Sequence, residues 1–214
     1  MNLNVSMRKH TRNRSNPLLV TLVGTTAMIA AWLLTPRYGP WACNSLAAPV
    51  SIIAALRWRP KPVRVPYSVA PFLGSFALGV LLAILSWSVA PIVAHRLPAV
   101  GRELGTLYAT LSHSPGPVWA APILVLSILA EELVWRGVLV DWCQTRMNRG
   151  RTVLLVTASY SLPIVFSGSW LLLLVAIGLG TVLAAQRLYL RTWIGPFITH
   201  LTWNILVFVV HPLA

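Results

Sequence analysis

Apolar runs of about 20 residues recur from Pro17 to the C-terminus with short polar breaks between them, and a helix needs roughly that length to cross the hydrocarbon core of a bilayer. This feature removes most folds from consideration. In lipid every backbone polar group has to be satisfied within the segment, so such runs read as membrane-spanning helices. Composition agrees, because 57% of the 214 residues are hydrophobic and only 10% are charged, too little charge to solvate a soluble domain of this size. The expected fold is all-α: a polytopic transmembrane helical bundle of about seven spans, at 17–35, 40–56, 69–94, 117–140, 152–166, 168–190 and 193–211. Pro163, followed by Phe166-Ser167-Gly168-Ser169, is expected to break the short fifth span early and turn it sharply into the sixth.

Orientation follows from the basic residues in alternate loops. Arg8, Lys9, Arg12 and Arg14 precede the first span; Arg57, Arg59, Lys61 and Arg64 follow the second; Arg146, Arg149 and Arg151 follow the fourth; Arg187 and Arg191 end the sixth. The opposite side holds Arg37, Arg96 and Arg102. This asymmetry places the N-terminus in the cytoplasm and the C-terminus outside. Trp58, Trp142 and Trp193 then fall at the inner interface, and Trp41, Trp119 and Trp170 at the outer one, as an aromatic belt requires. The net charge of +13 would suggest nucleic acid in a soluble protein, but here the cations sit in short loops where they fix topology and meet anionic lipid headgroups. No nucleic-acid partner is expected. Cys43 and Cys143 are expected on opposite sides of the membrane, which excludes a disulfide framework or a Cys-rich metal site.

Residues 1–16 read as a basic cytoplasmic tail and 17–214 as a single transmembrane domain. The run to Thr35 is too long for a signal-peptide core and lacks a cleavage pattern, so it reads as a retained signal anchor. The outside linker from Leu97 to Gly116 holds Glu103 and His113 and has room for a short interfacial helix. A basic tail without organelle signals fits a prokaryotic inner membrane.

The chain contains four carboxylates, Glu103, Glu131, Glu132 and Asp141, and two of them are adjacent within an apolar run. Ionisable groups at such depth cost several kcal/mol unless paired or facing a wet cavity, so they are functional candidates. Arg136 lies one helical turn beyond Glu132, on the same face. Glu132 is therefore expected to pair with Arg136, while Glu131, about 100° around the helix, stays available. A second polar island, His200 and Asn204, shares one face of the last span. Glu131 lies about nine residues from the inner end of its span and His200 about seven from the start of its own, so at 1.5 Å per residue both sit roughly 10–14 Å below the inner interface. A carboxylate facing an imidazole and an amide in a low-dielectric cavity can hydrolyse without a nucleophilic side chain: the carboxylate activates water, and the other two donate to the oxyanion.

Glu131-Glu132-Leu133-Val134-Trp135-Arg136 resembles the Glu-Glu-x-x-x-Arg motif of the CAAX protease and bacteriocin-processing (CPBP, or Abi) family, and His200-Leu201-Thr202-Trp203-Asn204 resembles its His-x-x-x-Asn motif. The resemblance covers about residues 117–210. It implies an all-helical intramembrane glutamic-type endopeptidase with Glu131 as the water-activating base, His200 and Asn204 as the oxyanion pair, and Glu132 with Arg136 as the organising ion pair. The family also carries Phe-x-x-x-His on the helix between these motifs. Here aligning Tyr160 with the Phe puts Ile164 at the His, and aligning Phe166 puts Trp170 there; no histidine lies between His113 and His200. The missing role either passes to Tyr160, Ser159 or Ser161, or is lost. No cofactor is expected. Catalytic zinc usually has three protein ligands, and His200 with two carboxylates is a sparse shell that stays open as an alternative.

Blander explanations exist for each residue taken singly. A Glu–Arg pair can lock helix packing, a lone buried His is more often hydrogen-bonded core, and Asn is ordinary interhelical glue. The function expected from the joint pattern is an endopeptidase acting on a membrane-tethered or hydrophobic peptide. The alternatives are a catalytically degenerate membrane scaffold or immunity protein, and a small proton-coupled carrier, although no internal repeat of the kind common in carriers is visible.

Overall fold

The computed structural model describes residues 16–58, 69–112 and 117–213. The basic tail, Arg59, Lys61 and Arg64, and His113 lie outside the described residues. The described chain is helical, in the order α1 (Pro17–Tyr38), α2 (Pro40–Trp58), α3 (Ala70–Arg96), α4 (Pro98–Ser112), α5 (Pro117–Glu131), a π-helical segment π1 (Glu132–Leu139), α6 (Val140–Gln144), α7 (Arg149–Val165), α8 (Trp170–Leu190), α9 (Ile194–Asn204) and a second π-helical segment π2 (Ile205–Val210).

Local chemistry sets the ends of these helices. Asn16 accepts from the Leu18 N–H at the start of α1, Asn148 caps α7 through the Arg151 N–H and Ser169 caps α8 through the Leu172 N–H, each satisfying a donor that the first helical turn leaves free. Gly168, at φ +74°, makes the sharp turn between α7 and α8, a conformation that glycine adopts without penalty. The turn comes where the sequence places it, yet α7 runs through Pro163 to Val165 rather than breaking there. The Leu97–Gly116 linker does contain a helix, α4.

α1, α3 and α8 are long and apolar enough to cross a membrane, and the protein is an integral membrane protein on that ground. Leu73, Phe76, Leu81, Ile84, Leu85 and Ile92 are exposed on α3, and only 11% of its apolar stretch is buried within the protein. An exposed apolar surface of this kind is a lipid-facing one.

α1 packs on α2, α2 on α5, α7 on α8 and α3 on α9. The main core joins Val20, Met28 and Ala31 of α1 to Cys43 and Ala47 of α2, and these to Val134, Trp135 and Val138 of π1. Both cysteines are buried and free. This packing sets π1 at the centre of the bundle: all eight of its residues are buried. α9 reaches π1 from the other side, which brings the two polar islands together.

Candidate active site

Glu131 is the last residue of α5 and Glu132 the first of π1. The Glu132 Oε1 atom lies 3.1 Å from Arg136 Nη1, and neither side chain has any exposed surface. The same oxygen is 2.9 Å from His200 Nδ1. The other ring nitrogen, His200 Nε2, faces Glu131 Oε2 at 4.0 Å. One imidazole thus stands between two sequence-adjacent carboxylates, held tightly by the inner and facing the outer across a wider gap. Glu131 is the partly accessible member, its side chain 16% exposed against 4% for His200.

Arg136 is enclosed on every side. Its guanidinium lies 4.2 Å from the centre of the Tyr160 ring, a cation–π distance, and Nη2 donates to the Gly180 carbonyl at 3.5 Å. The Tyr160 ring also meets Trp135 and His200 edge to face, at centroid distances of 5.4 Å and 6.3 Å. Its hydroxyl faces the Glu131 carboxylate. Of the three α7 candidates, Tyr160 reaches Glu131, whereas the Ser161 hydroxyl is buried without a hydrogen-bond partner. Ile164 packs into the apolar core and Trp170 is exposed at the start of α8.

Asn204 is buried on α9, and its side-chain amide donates to the carbonyl of His200 at 3.0 Å, which leaves its second N–H for another acceptor. The structure therefore brings Glu131, Glu132, Arg136 and His200 into direct contact, with Asn204 one turn along the same helix. Among the described residues, no group of three His, Cys, Asp or Glu side chains has the arrangement of a metal shell. Glu103 stands apart: its Oε1 accepts from the Leu171 N–H at the start of α8, beside a separate cavity of about 950 Å³ lined by Trp32, Trp41 and Phe166 among others.

Sequence reasoning missed two supports. Arg187, counted above as a topological cation, is buried; it pairs with Asp141 and donates from Nε to the Arg136 carbonyl at 2.9 Å. Gln186 Nε2 donates to Ser75 Oγ at 3.1 Å and to Thr199 Oγ1 at 2.9 Å, and the Thr199 hydroxyl donates to the Ser75 carbonyl at 2.8 Å. This polar knot joins α3, α8 and α9 next to His200. A glutamine one residue before a buried arginine, in an otherwise apolar run, is the only signal the sequence offers for either.

Compared with known proteins, residues 113–206 match the family described as type II CAAX prenyl endopeptidase Rce1-like. No curated protein and no solved structure matches the chain. The matched segment contains every residue of the two motifs.

Proposed function

We propose that this chain, whose residues 113–206 match the Rce1-like CAAX prenyl endopeptidase model, is an intramembrane endopeptidase that cuts a membrane-tethered or hydrophobic peptide with water activated by Glu131. The observation that carries the reading is the pair of distances at His200: 2.9 Å from Nδ1 to Glu132 and 4.0 Å from Nε2 to Glu131. The longer one exceeds a hydrogen bond and suits a water molecule bonded to both groups.

In the proposed reaction Glu131 takes a proton from that water as its oxygen attacks the carbonyl carbon of the scissile peptide. The carbonyl electron pair moves onto oxygen, where hydrogen bonds from the Nε2–H of a doubly protonated His200, whose Nδ1–H is held by Glu132, and from the free amide N–H of Asn204 stabilise the negative charge. Collapse of the intermediate breaks the C–N bond, and the proton held by Glu131 passes to the departing amine. Glu132 and Arg136 take no part in bond making. They fix the ring of His200, because a carboxylate on one imidazole nitrogen determines what the other presents. Seven spans with a cytoplasmic N-terminus, in a prokaryotic inner membrane, complete the proposal.

The competing reading is a membrane scaffold that kept the fold, favoured by the absence of any histidine between His113 and His200. Glu131→Gln separates the two. Purified protein is incubated with a farnesylated peptide ending in a CAAX sequence and, separately, with an unprenylated hydrophobic peptide, and products are read by mass spectrometry. Loss of a general base lowers the rate by about 10²–10⁴-fold, with the melting temperature unchanged. Undiminished cleavage by the variant would dismiss Glu131 as the base.

A further inference from the structure

We infer that Tyr160 is the positioning residue for Glu131, supplying from α7 the hydroxyl that fixes the carboxylate opposite His200. The inference rests on the endopeptidase reading for its catalytic meaning, but its geometry stands independently. Tyr160 is buried, 6% exposed, and its side chain meets three members of the centre. Its hydroxyl faces Glu131, its face receives the Arg136 guanidinium at 4.2 Å, and its ring stands edge to face with His200.

The seat for this ring is built from the opposite helix. A Cβ at Gly180 of α8 would fall 2.8 Å from Tyr160 Cδ1, closer than real carbons approach, so the ring fits because position 180 has no side chain. The same glycine's carbonyl accepts from Arg136. Trp135 closes another side of the ring. A phenol clamped in this way has little freedom left. A phenolic O–H donates to a carboxylate and cannot act as a base while protonated, so the hydroxyl directs Glu131 rather than competing with it for the proton of water.

The groups facing Glu131 are Glu132 and Arg136 from π1, Tyr160 from α7 and His200 from α9. Of these, Tyr160 can lose its polar atom without losing its shape. Tyr160→Phe keeps the ring, the cation–π contact and the packing against Gly180, and removes only the hydroxyl and the hydrogen bond inferred for it. The test is infrared spectroscopy of the full-length protein, with the Glu131 carboxyl band assigned by its disappearance in Glu131→Gln. The expected result is a displaced band in Tyr160→Phe at an unchanged melting temperature; a band in the same position overturns the inference whatever the substrate is. On a substrate that the native protein cuts, kcat should fall about tenfold or more with KM unchanged. Full kcat in Tyr160→Phe with an inactive Glu131→Gln would end the positioning role alone, whereas an active Glu131→Gln would end the endopeptidase reading and leave the infrared result to decide for Tyr160.

Discussion

Arg136 and Glu132 have no exposed surface, and a charge so placed is tolerable only while its partner is present. Their N···O distance of 3.1 Å is short, and the guanidinium adds the Tyr160 ring and the Gly180 carbonyl to its surroundings. Arg136→Leu leaves the Glu132 carboxylate buried beside His200 without its cation, and breaking a buried pair in this way costs about 3–5 kcal/mol. Glu132→Gln combined with Arg136→Leu removes both charges and should cost less than Arg136→Leu by itself, as read from thermal melting in detergent. Equal losses would show that the pair contributes shape rather than charge. The residues of this centre were legible because ionisable groups are so rare in apolar runs that their spacing stands out: Glu132 with Arg136, and His200 with Asn204, each lie four apart. The Arg187–Asp141 pair was not, since its members are 46 residues apart and each sits where a span ends, where a charge excites no suspicion.

At the scale of the element, both motif segments end an α-helix where the chemistry begins. α5 gives way to π1 between Glu131 and Glu132, and α9 gives way to π2 directly after Asn204. Wide helical turns of this type are frequent at functional sites. No periodicity announces them, because hydrophobic patterning records which face is buried and not the hydrogen-bond register. The existence of the helices, by contrast, was plain from apolar length, and the turn at Gly168 from its glycine. The close approach of α3 to α9 needed coordinates. A Cβ at Gly79 would lie 2.7 Å from Thr202 Cβ and 2.8 Å from the Thr199 carbonyl oxygen, and backbone cannot step aside as a flexible side chain can. Gly79→Ala should therefore destabilise the protein by about 1–3 kcal/mol, the usual cost of overpacking, and lower cleavage through the displaced α9. Gly74→Ala on the same helix meets nothing within 4 Å and should be neutral or slightly stabilising. Matching behaviour of the two variants in thermal melts would contradict the crossing described.

For the whole molecule, the seven apolar runs all appear as helical stretches, and α1, α3 and α8 satisfy the length and apolarity of a span outright. The others are shorter or interrupted, which is why counting residues could not settle how many cross. The proposed orientation is testable through the basic tail. A cysteine introduced at Ser6 should react with an impermeant maleimide only from the cytoplasmic side, and one introduced at Leu213 only from the opposite side; labelling of both from one side would require an even number of crossings. The arrangement of α3 has a consequence for supply. Its outer face is exposed along most of its length while its inner face lies on α9, so α3 is a wall between the acyl chains and the helix that carries His200. A molecule already dissolved in the bilayer would meet this wall by diffusing in two dimensions, at a concentration set by its partition into lipid rather than by its solubility in water.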